Sequence, residues 1–292
     1  MLPLRFLLII AAGILQSAFA ISQPVQLNTQ RLTLQGTLEL PTSSNRVPVI
    51  LMLADAGVVD RDGNGLRSEG RDGIKQLALA LSQNKIASLR YDKRSIDQNQ
   101  HDPTIVELVS DARAWIEFLK NDPRFSSTIV LGHGEGSLVG MMAARGLKLA
   151  AFVSVCGFGR PAQLALLEEI ERSRPADAFV DSSLIVQELE AGRKVTDMEP
   201  GLWRYFRPNT QDYLMSLFAL DPALELAKLG LPVLIVRGES DARVSPPETE
   251  QLLVASPKAK VLKIATMRHD LTDSSGGLAP GLLEGLLKFF AI

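Results

Sequence analysis

The sequence predicts an α/β fold with a mostly parallel central sheet and helices on both faces. Short apolar runs alternate with longer stretches of helical spacing, which is typical of strands joined by crossover helices. Residues 47–53 form a continuous apolar run, as expected of a strand buried on both faces of a parallel sheet. Further strands are predicted at 87–91, 128–131, 150–155, 232–236 and 260–264, and helices at 74–83, 106–120, 138–145 and 282–290.

Two segments depart from this alternation. Residues 25–40 alternate apolar and polar side chains, which predicts two half-buried strands forming an antiparallel edge. Residues 161–228 have helical patterns and no strand pattern, with predicted helices at 164–172 and 184–194. An insertion of this kind predicts a helical lid on a single domain that spans residues 21–292.

The first twenty residues have the pattern of a secretory signal peptide. Arg5 precedes an apolar run at 6–15, and Ala18-Phe19-Ala20 forms a small-residue cleavage site. An uncleaved membrane anchor fits less well, because the run is shorter than the roughly 20 residues that a spanning helix needs. We therefore expect export to the periplasm, with Ile21 first in the mature chain and no stable membrane span.

The charge balance and the cysteine count limit the classes of partner that we expect. Lys and Arg total 31 and Asp and Glu total 33, so there is no basic excess for binding nucleic acid. Cys156 has no second cysteine with which to form an internal disulfide. We expect a small-molecule partner, no metal and no cofactor, and the sequence does not indicate an oligomeric state.

The strongest motif is Gly132-His133-Gly134-Glu135-Gly136, which follows a predicted strand and precedes a predicted helix. This is the setting of a nucleophile elbow, Gly-X-Ser-X-Gly, in which glycines flank the nucleophile because the turn is tight. Both flanking glycines are present. At the nucleophile position, however, the chain has Gly134 instead of serine.

The other two members of a catalytic triad follow in the expected order of nucleophile, acid and base. Asp241 lies in a loop after a late predicted strand, and His269 follows the last one. A histidine oriented by a carboxylate is what a serine needs in order to lose its proton. We therefore predict that Asp241 and His269 occupy the catalytic acid and base positions.

These motifs, with the segments at 60–64, 90–94 and 206–208, resemble the secreted bacterial α/β-hydrolases related to serine carboxylesterases and serine aminopeptidase-like hydrolases. The resemblance covers nearly the whole mature chain and implies the α/β-hydrolase fold. It also implies an oxyanion hole formed by two backbone N–H groups, which by position belong to Ala56 and Glu135.

The sequence departs from that family pattern at two places. One is Gly134, since loss of a triad nucleophile costs on the order of a million-fold in turnover. The other is Asp55, in Asp55-Ala56-Gly57, where such enzymes usually have Gly-Ser-Gly. An inward-pointing Asp55 would oppose the negative charge of an oxyanion, whereas an outward-pointing one would face solvent. The sequence leaves both orientations open.

A few other residues carry side chains that can act as nucleophiles, bases or metal ligands. Ser137 is expected inside a helix and turned away from the elbow, and Cys156 is more typical of core packing than of a nucleophile. His133 is interpreted as structural and His101 as solvated. The acidic run at 60–64 resembles a short calcium loop but is interpreted as loop scaffolding, because its ligand set is incomplete.

Two main functions remain open. In the first, a degenerate hydrolase that resembles a serine carboxylic-ester hydrolase keeps a pocket for a small acyl or ester ligand without covalent catalysis. In the second, the chain hydrolyses esters or acyl compounds by using His269 and Asp241 with an activated water or another nucleophile. An engineered inactive variant is the third and weakest alternative.

Overall fold

Eight strands form one sheet in the computed structural model, which describes residues 20–29, 32–65, 71–94, 102–173 and 176–290. The strands are β1 (Ile21–Asn28), β2 (Thr33–Leu40), β3 (Val47–Leu53), β4 (Ala87–Tyr91), β5 (Phe125–His133), β6 (Ala151–Val155), β7 (Val233–Gly238) and β8 (Lys260–Ile264). Their order across the sheet is β1-β2-β4-β3-β5-β6-β7-β8. Strands β3 to β8 are parallel to one another. Strand β2 runs antiparallel to both of its neighbours, β1 and β4.

The two strands at the antiparallel edge run in opposite directions, as the sequence predicted, but only β2 is half-buried. Strand β2 buries alternate residues, whereas β1 is exposed along most of its length. An edge strand has a neighbour on one side, so β1 shields less of its surface than a central strand does. The prediction of a half-buried strand was therefore wrong for β1.

Helices cover both faces of the sheet. They are α1 (Gly73–Gln83), α2 (Ile105–Lys120), α3 (Glu135–Ala144), α4 (Ala162–Ser173), α5 (Ala176–Glu190), α6 (Trp203–Phe206), α7 (Gln211–Phe218), α8 (Pro222–Ala227), α9 (Pro246–Ala255) and α10 (Leu282–Phe290), with short 3₁₀ turns at Pro200–Leu202 and Pro208–Thr210. Helices α1 and α10 contribute to the core on one face, and α2, α3, α8 and α9 to the core on the other. The predicted fold class is confirmed.

Most predicted boundaries lie close to the observed ones, and α5 is the exception. This helix begins at Ala176 and ends at Glu190, whereas the sequence pattern indicated 184–194. Gly192, at φ 74°, takes the left-handed conformation that commonly ends a helix. The predicted helix extended to residue 194 because its hydrophobic spacing continues beyond Gly192.

Helices α4 to α8 lie within the segment from 161 to 228. The described residues of this segment contain no strand. They form a separate apolar cluster that includes Ile170, Leu189, Leu202, Phe206 and Phe218. The role of the segment as a lid stays a prediction.

The parallel arrangement brings distant loops to one edge of the sheet. Strands β3, β5, β7 and β8 all end there, and the loops after them carry Asp55, Gly134, Asp241 and His269. Ligands of open α/β sheets bind beyond this carboxyl edge. The fold therefore positions a site whose parts are far apart in sequence.

The predicted signal peptide lies almost entirely outside the described residues, which begin at residue 20. Export and cleavage stay predictions. Among the helices that the structure describes, none combines the length and the apolar character needed to span a bilayer.

Trp115 tests the core under α2. Its side chain is fully buried and packs against Tyr91 and Phe118, with ring centroids 5.7 and 5.4 Å away. We expect Trp115→Ala to lower the free energy of unfolding by about 3–5 kcal/mol, since it removes a large buried side chain and leaves a cavity. Val106→Ala, on the exposed face of the same helix, is the control and should stay within about 0.5 kcal/mol. Urea unfolding measures both, and equal losses would contradict this packing.

Candidate active site

The turn between β5 and α3 has the geometry of a nucleophile elbow. Gly134 adopts φ 53° and ψ −121°, a backbone conformation that L side chains rarely take. A Cβ on Gly132 would overlap the carbonyl oxygen of Gly136, and a Cβ on Gly136 would overlap that of Leu53. Glycines are therefore required on both sides because the turn packs directly against neighbouring backbone.

Asp241 and His269 form the acid and histidine pair that the sequence predicted. Nδ1 of His269 lies 2.8 Å from Oδ2 of Asp241. The other carboxylate oxygen of Asp241 accepts hydrogen bonds from the backbone N–H groups of Arg243 and Val244. Burial opposes ionisation of Asp241, but these hydrogen bonds and the His269 charge outweigh it and lower the pKa of Asp241. The loop thus holds a charged carboxylate on the histidine ring.

The carboxylate of Asp55 occupies the space where the side chain of a serine would stand. A Cβ built on Gly134 would overlap Oδ1 of Asp55, well inside the 3.0 Å that real Cβ atoms keep. Asp55 is only 4 % exposed, so its side chain points inward. Of the two orientations left open by the sequence, the structure has the one that places charge at the reaction centre.

Three donors hold the Asp55 carboxylate. Oδ1 accepts the backbone N–H of Glu135 at 3.0 Å, and Oδ2 accepts Nη1 of Arg243 at 2.6 Å. Nε2 of His269 lies 3.1 Å from Oδ2, so the ring stands between Asp55 and Asp241. We call Asp55, Asp241, Arg243 and His269 the charge cluster.

The two carboxylates change the protonation of the histidine between them. Burial disfavours a charged His269, but its hydrogen bonds and charge interactions with Asp241 and Asp55 outweigh burial and raise its pKa to about 9. Burial also opposes ionisation of Asp55, yet His269, His133 and Arg243 hold its pKa well below the ordinary value. At neutral pH the charge cluster contains two carboxylates and two cations. His269 therefore carries a proton and cannot accept one from a nucleophile.

One of the two predicted oxyanion donors, the Glu135 N–H, lies at the same place. The N–H of Glu135 donates to Asp55 instead of pointing into an open space. Ala56 follows Asp55 directly in the loop after β3, and its role stays a prediction. A substrate oxyanion would have to compete with a fixed carboxylate for the Glu135 donor.

A cavity of about 470 Å³ lies beside the elbow. Glu135 contributes to its wall, and the Glu135 carboxylate accepts a hydrogen bond from the hydroxyl of Tyr213 on α7. Nζ of Lys93 lies 3.8 Å from that carboxylate and donates to the backbone carbonyl of Asp55. The remaining wall residues are Gly57, Val58, Val59, Asp60, Asp92, Arg94, Asp102, Pro103 and Leu108.

Sequence reasoning did not single out Arg243, Lys93 or Tyr213. The sequence position of Arg243 could have indicated its role, since it lies two residues after Asp241 in the same loop. Lys93 lies inside the segment 90–94, which is part of the family resemblance. Tyr213 had none, because its contact with Glu135 depends on how α7 packs over the sheet.

The structure describes three of the four other serine, cysteine and histidine residues considered from the sequence. Ser137 is buried in α3 and donates to the carbonyl of Gly132, away from the cavity. Burial raises the pKa of the Cys156 thiol well above its ordinary value, so it is not a ready nucleophile. Nε2 of His133 donates to the backbone carbonyl of His269 at 2.6 Å, and burial lowers the pKa of His133 to about 4. His101 lies outside the described residues.

The acidic run at 60–64 forms a hydrogen-bonded loop. Oδ1 of Asp60 accepts the backbone N–H groups of Asp62 and Asn64, and Oδ1 of Asp62 accepts Nε of Arg90 at 2.6 Å. These contacts support the scaffolding interpretation. A different group, Cys156 with Asp241 and His269, has ligand atoms within 4.8 Å of one another. Metal binding there would require a thiolate from Cys156 and release of His269 from the charge cluster.

Searches with protein-family models and among curated proteins find no match to this sequence. Solved structures do match. Est1E from Butyrivibrio proteoclasticus aligns with a TM-score of 0.63 and 16 % identity, covering 92 % of this chain and 99 % of its own. The α/β hydrolase GrgF from Penicillium aligns at 0.62 and 18 %, covering 92 % and 98 %. The chain has the α/β-hydrolase fold.

A third similar structure is XC6422 from Xanthomonas campestris, described as an α/β serine hydrolase without a lid. It aligns with a TM-score of 0.55 and 16 % identity and covers 92 % of this chain and 94 % of its own. At these identities the likeness establishes the fold and not the reaction. What the site of this chain can do rests on its own residues.

Restoring the serine alone should fail. In Gly134→Ser the new Cβ overlaps Asp55, and the positive φ adds strain of roughly 1–3 kcal/mol. We expect a lower Tm and no labelling by a fluorophosphonate probe. Asp55→Gly combined with Gly134→Ser frees the space and the Glu135 donor, and it leaves Asp241 on His269. We expect this double variant to label, and equal labelling of the single variant would contradict the overlap.

Removing the Asp55 charge should lower the pKa of His269 toward its ordinary value. The folded pKa of about 9 lies above the value of 6.5 expected when unfolded, so this contribution to stability is full below pH 6.5 and is lost as pH rises through 9. We expect Asp55→Asn to shift the NMR titration midpoint of the His269 ring to a lower pH. Asp92→Asn, on the cavity wall and outside the charge cluster, should leave the midpoint unchanged. A midpoint near 6.5 in the unmodified chain would refute the double pairing.

Proposed function

We propose that this chain is an exported hydrolase-fold protein that has lost serine-type ester hydrolysis and binds a small acyl or ester ligand in the cavity beside the elbow. One observation carries the proposal: the Asp55 carboxylate stands where the nucleophile's side chain would be. The elbow, the acid and the histidine are retained around it. Export rests on the signal-peptide pattern of residues 1–20.

Three requirements of serine acyl transfer are missing together. The hydroxyl nucleophile is absent at Gly134. His269 is protonated and ion-paired on both ring nitrogens, so it is not available as a general base. The Glu135 N–H already has an acceptor. Restoring the hydroxyl alone leaves the other two requirements unmet, because Asp55 blocks both of them, and this supports loss of the reaction rather than a slowed form of it.

The cavity favours a neutral and mainly apolar ligand. Val58, Val59, Pro103 and Leu108 give its wall an apolar surface. The basic wall residues are already paired, because Arg94 binds Glu107 and Asp111, and Lys93 lies near Glu135. Asp92 is paired with Arg61. An anionic ligand would have to break one of the pairs of Lys93 or Arg94, whereas an uncharged acyl compound would not.

One comparison structure contains a ligand with an aromatic acyl group. Est1E has been solved with ferulic acid bound, and that structure aligns with this chain at a TM-score of 0.61 and 17 % identity. The aligned region covers 91 % of this chain. An uncharged acyl compound that carries an aromatic ring is therefore the first ligand to test here.

The alternative of hydrolysis by an activated water receives less support. That route needs a neutral His269 with a free ring nitrogen facing the water. In the structure one nitrogen faces Asp241 and the other faces Asp55. Ester hydrolysis through His269 would first require that Asp55 leave the site.

We expect no hydrolysis of p-nitrophenyl butyrate above that of His269→Ala, and no labelling by a fluorophosphonate. The physical reason is that the site lacks both a hydroxyl nucleophile and a free base. Clear turnover by the unmodified chain that disappears in His269→Ala would contradict the proposal.

A second experiment tests ligand binding in the cavity with a compound that is not readily cleaved. We expect p-nitrobutyranilide to bind in an NMR titration, and Val59→Trp to weaken binding by filling the cavity. Val254→Trp, on an exposed position of α9 away from the cavity, is the matched control. Binding that is absent, or equally strong in Val59→Trp, would remove the ligand part of the proposal.

A further inference from the structure

We propose that Asp55 is a replacement nucleophile, a carboxylate that attacks a saturated carbon bearing an anionic leaving group, as in a primary alkyl halide. This goes beyond the proposed function. It keeps the loss of serine acyl transfer and the neutral apolar ligand, and it assigns a different reaction, alkyl transfer to a carboxylate followed by hydrolysis, to the same site.

The position of the carboxylate is the first argument. Oδ1 of Asp55 lies in the space of the missing Cβ at the elbow, and Oδ2 lies 3.1 Å from Nε2 of His269. A serine hydroxyl at the elbow would also lie between the turn and that ring nitrogen. Asp55, in the loop after β3, therefore places a nucleophilic group in the space that the side chain of a serine at position 134 would fill.

The two oxygens of Asp55 differ in what holds them. Oδ1 accepts the backbone N–H of Glu135, at the start of α3, and that donor is fixed by the helix. Oδ2 faces the side chains of His269 and Arg243. More than a third of the Arg243 side chain is exposed, so the cover over Oδ2 is a surface side chain that can be displaced. Oδ2 is therefore the attacking atom.

In the first step Oδ2 forms a bond to the alkyl carbon, and the bond from that carbon to the leaving group breaks. The leaving group departs with its electron pair as a halide anion. The product is an alkyl ester of Asp55, and no proton is transferred. No metal, redox partner or further co-reactant is needed, and carboxylates form covalent intermediates of this kind in other enzymes.

In the second step water attacks the carboxyl carbon of Asp55 and the alkyl group leaves as an alcohol. The negative charge of the tetrahedral intermediate develops on Oδ1, which is the atom that the Glu135 N–H already contacts. An oxyanion donor is useful when it points to the atom on which charge develops. Acyl transfer would instead place the oxyanion on the substrate, so this donor favours an alkyl substrate.

Formation of the ester also prepares His269 for the second step. An esterified Asp55 has no charge, so one of the two carboxylates that keep His269 protonated is removed. Its pKa falls, it releases its proton to solvent, and it then accepts a proton from the attacking water. Collapse of the intermediate returns that proton to the leaving alkoxide, and the resulting carboxylic acid of Asp55 then gives its proton to His269, which restores the starting charge cluster. The sum is one alkyl halide and one water giving one alcohol, one halide and one proton.

The test uses the full chain and two probes of different size, iodoethane and 1-bromohexane. In His269→Gln we expect the alkyl group to accumulate on Asp55, because attack proceeds while hydrolysis lacks its base. Mass spectrometry of the tryptic peptide 47–61 locates the modification, and Asp60 in the same peptide is the internal control. Asp55→Asn should remove the adduct, and its thermal unfolding is measured alongside.

In the unmodified chain we expect turnover in oxygen-18 water to place the isotope in the Asp55 carboxylate. An alcohol product with no isotope in Asp55 would show direct attack by water and would overturn the proposal. Absence of an Asp55 adduct with both probes, or equal modification of Asp60, would also overturn it. Neither result bears on ester turnover or on anilide binding, so failure here is distinct from failure of the proposed function.

Discussion

The contact between the Asp55 carboxylate and the backbone of the elbow is the constraint on which the rest of the site depends. Gly134 leaves room for it, the Glu135 N–H binds one of its oxygens, and His269 and Arg243 bind the other. A buried carboxylate is costly unless its charge is paired and its oxygens are hydrogen-bonded. The charge cluster provides both, and in doing so it fixes the protonation of the histidine.

Glycine at the elbow and aspartate in the neighbouring loop are therefore one structural change rather than two. A serine at position 134 would collide with Asp55, and with glycine at position 55 the Glu135 donor would be unoccupied. A loss of the nucleophile alone would have left an open site with a free histidine. The observed site is closed by ion pairs, and the group at its centre is a carboxylate and not a hydroxyl.

The cavity and the charge cluster meet at Glu135. Its N–H contacts Asp55, whereas its side chain contacts Tyr213 on α7 and lies near Lys93. Burial raises the pKa of Glu135, and the Lys93 charge opposes that effect. A ligand that fills the cavity would thus contact a residue whose backbone N–H also holds the Asp55 carboxylate.

The sequence by itself determined the alternation of strands and helices, the tight elbow, and the pairing of Asp241 with His269, because these follow from local hydrophobic periodicity, glycine spacing and the order of motifs along the chain. It did not determine where Asp55 points or that Arg243 and Tyr213 reach the site. Those contacts join the ends of different strands and a helix of the inserted segment. Only tertiary packing decided them, since the parallel sheet brings loops 188 residues apart within hydrogen-bond distance at one edge, and α7 packs against the same site.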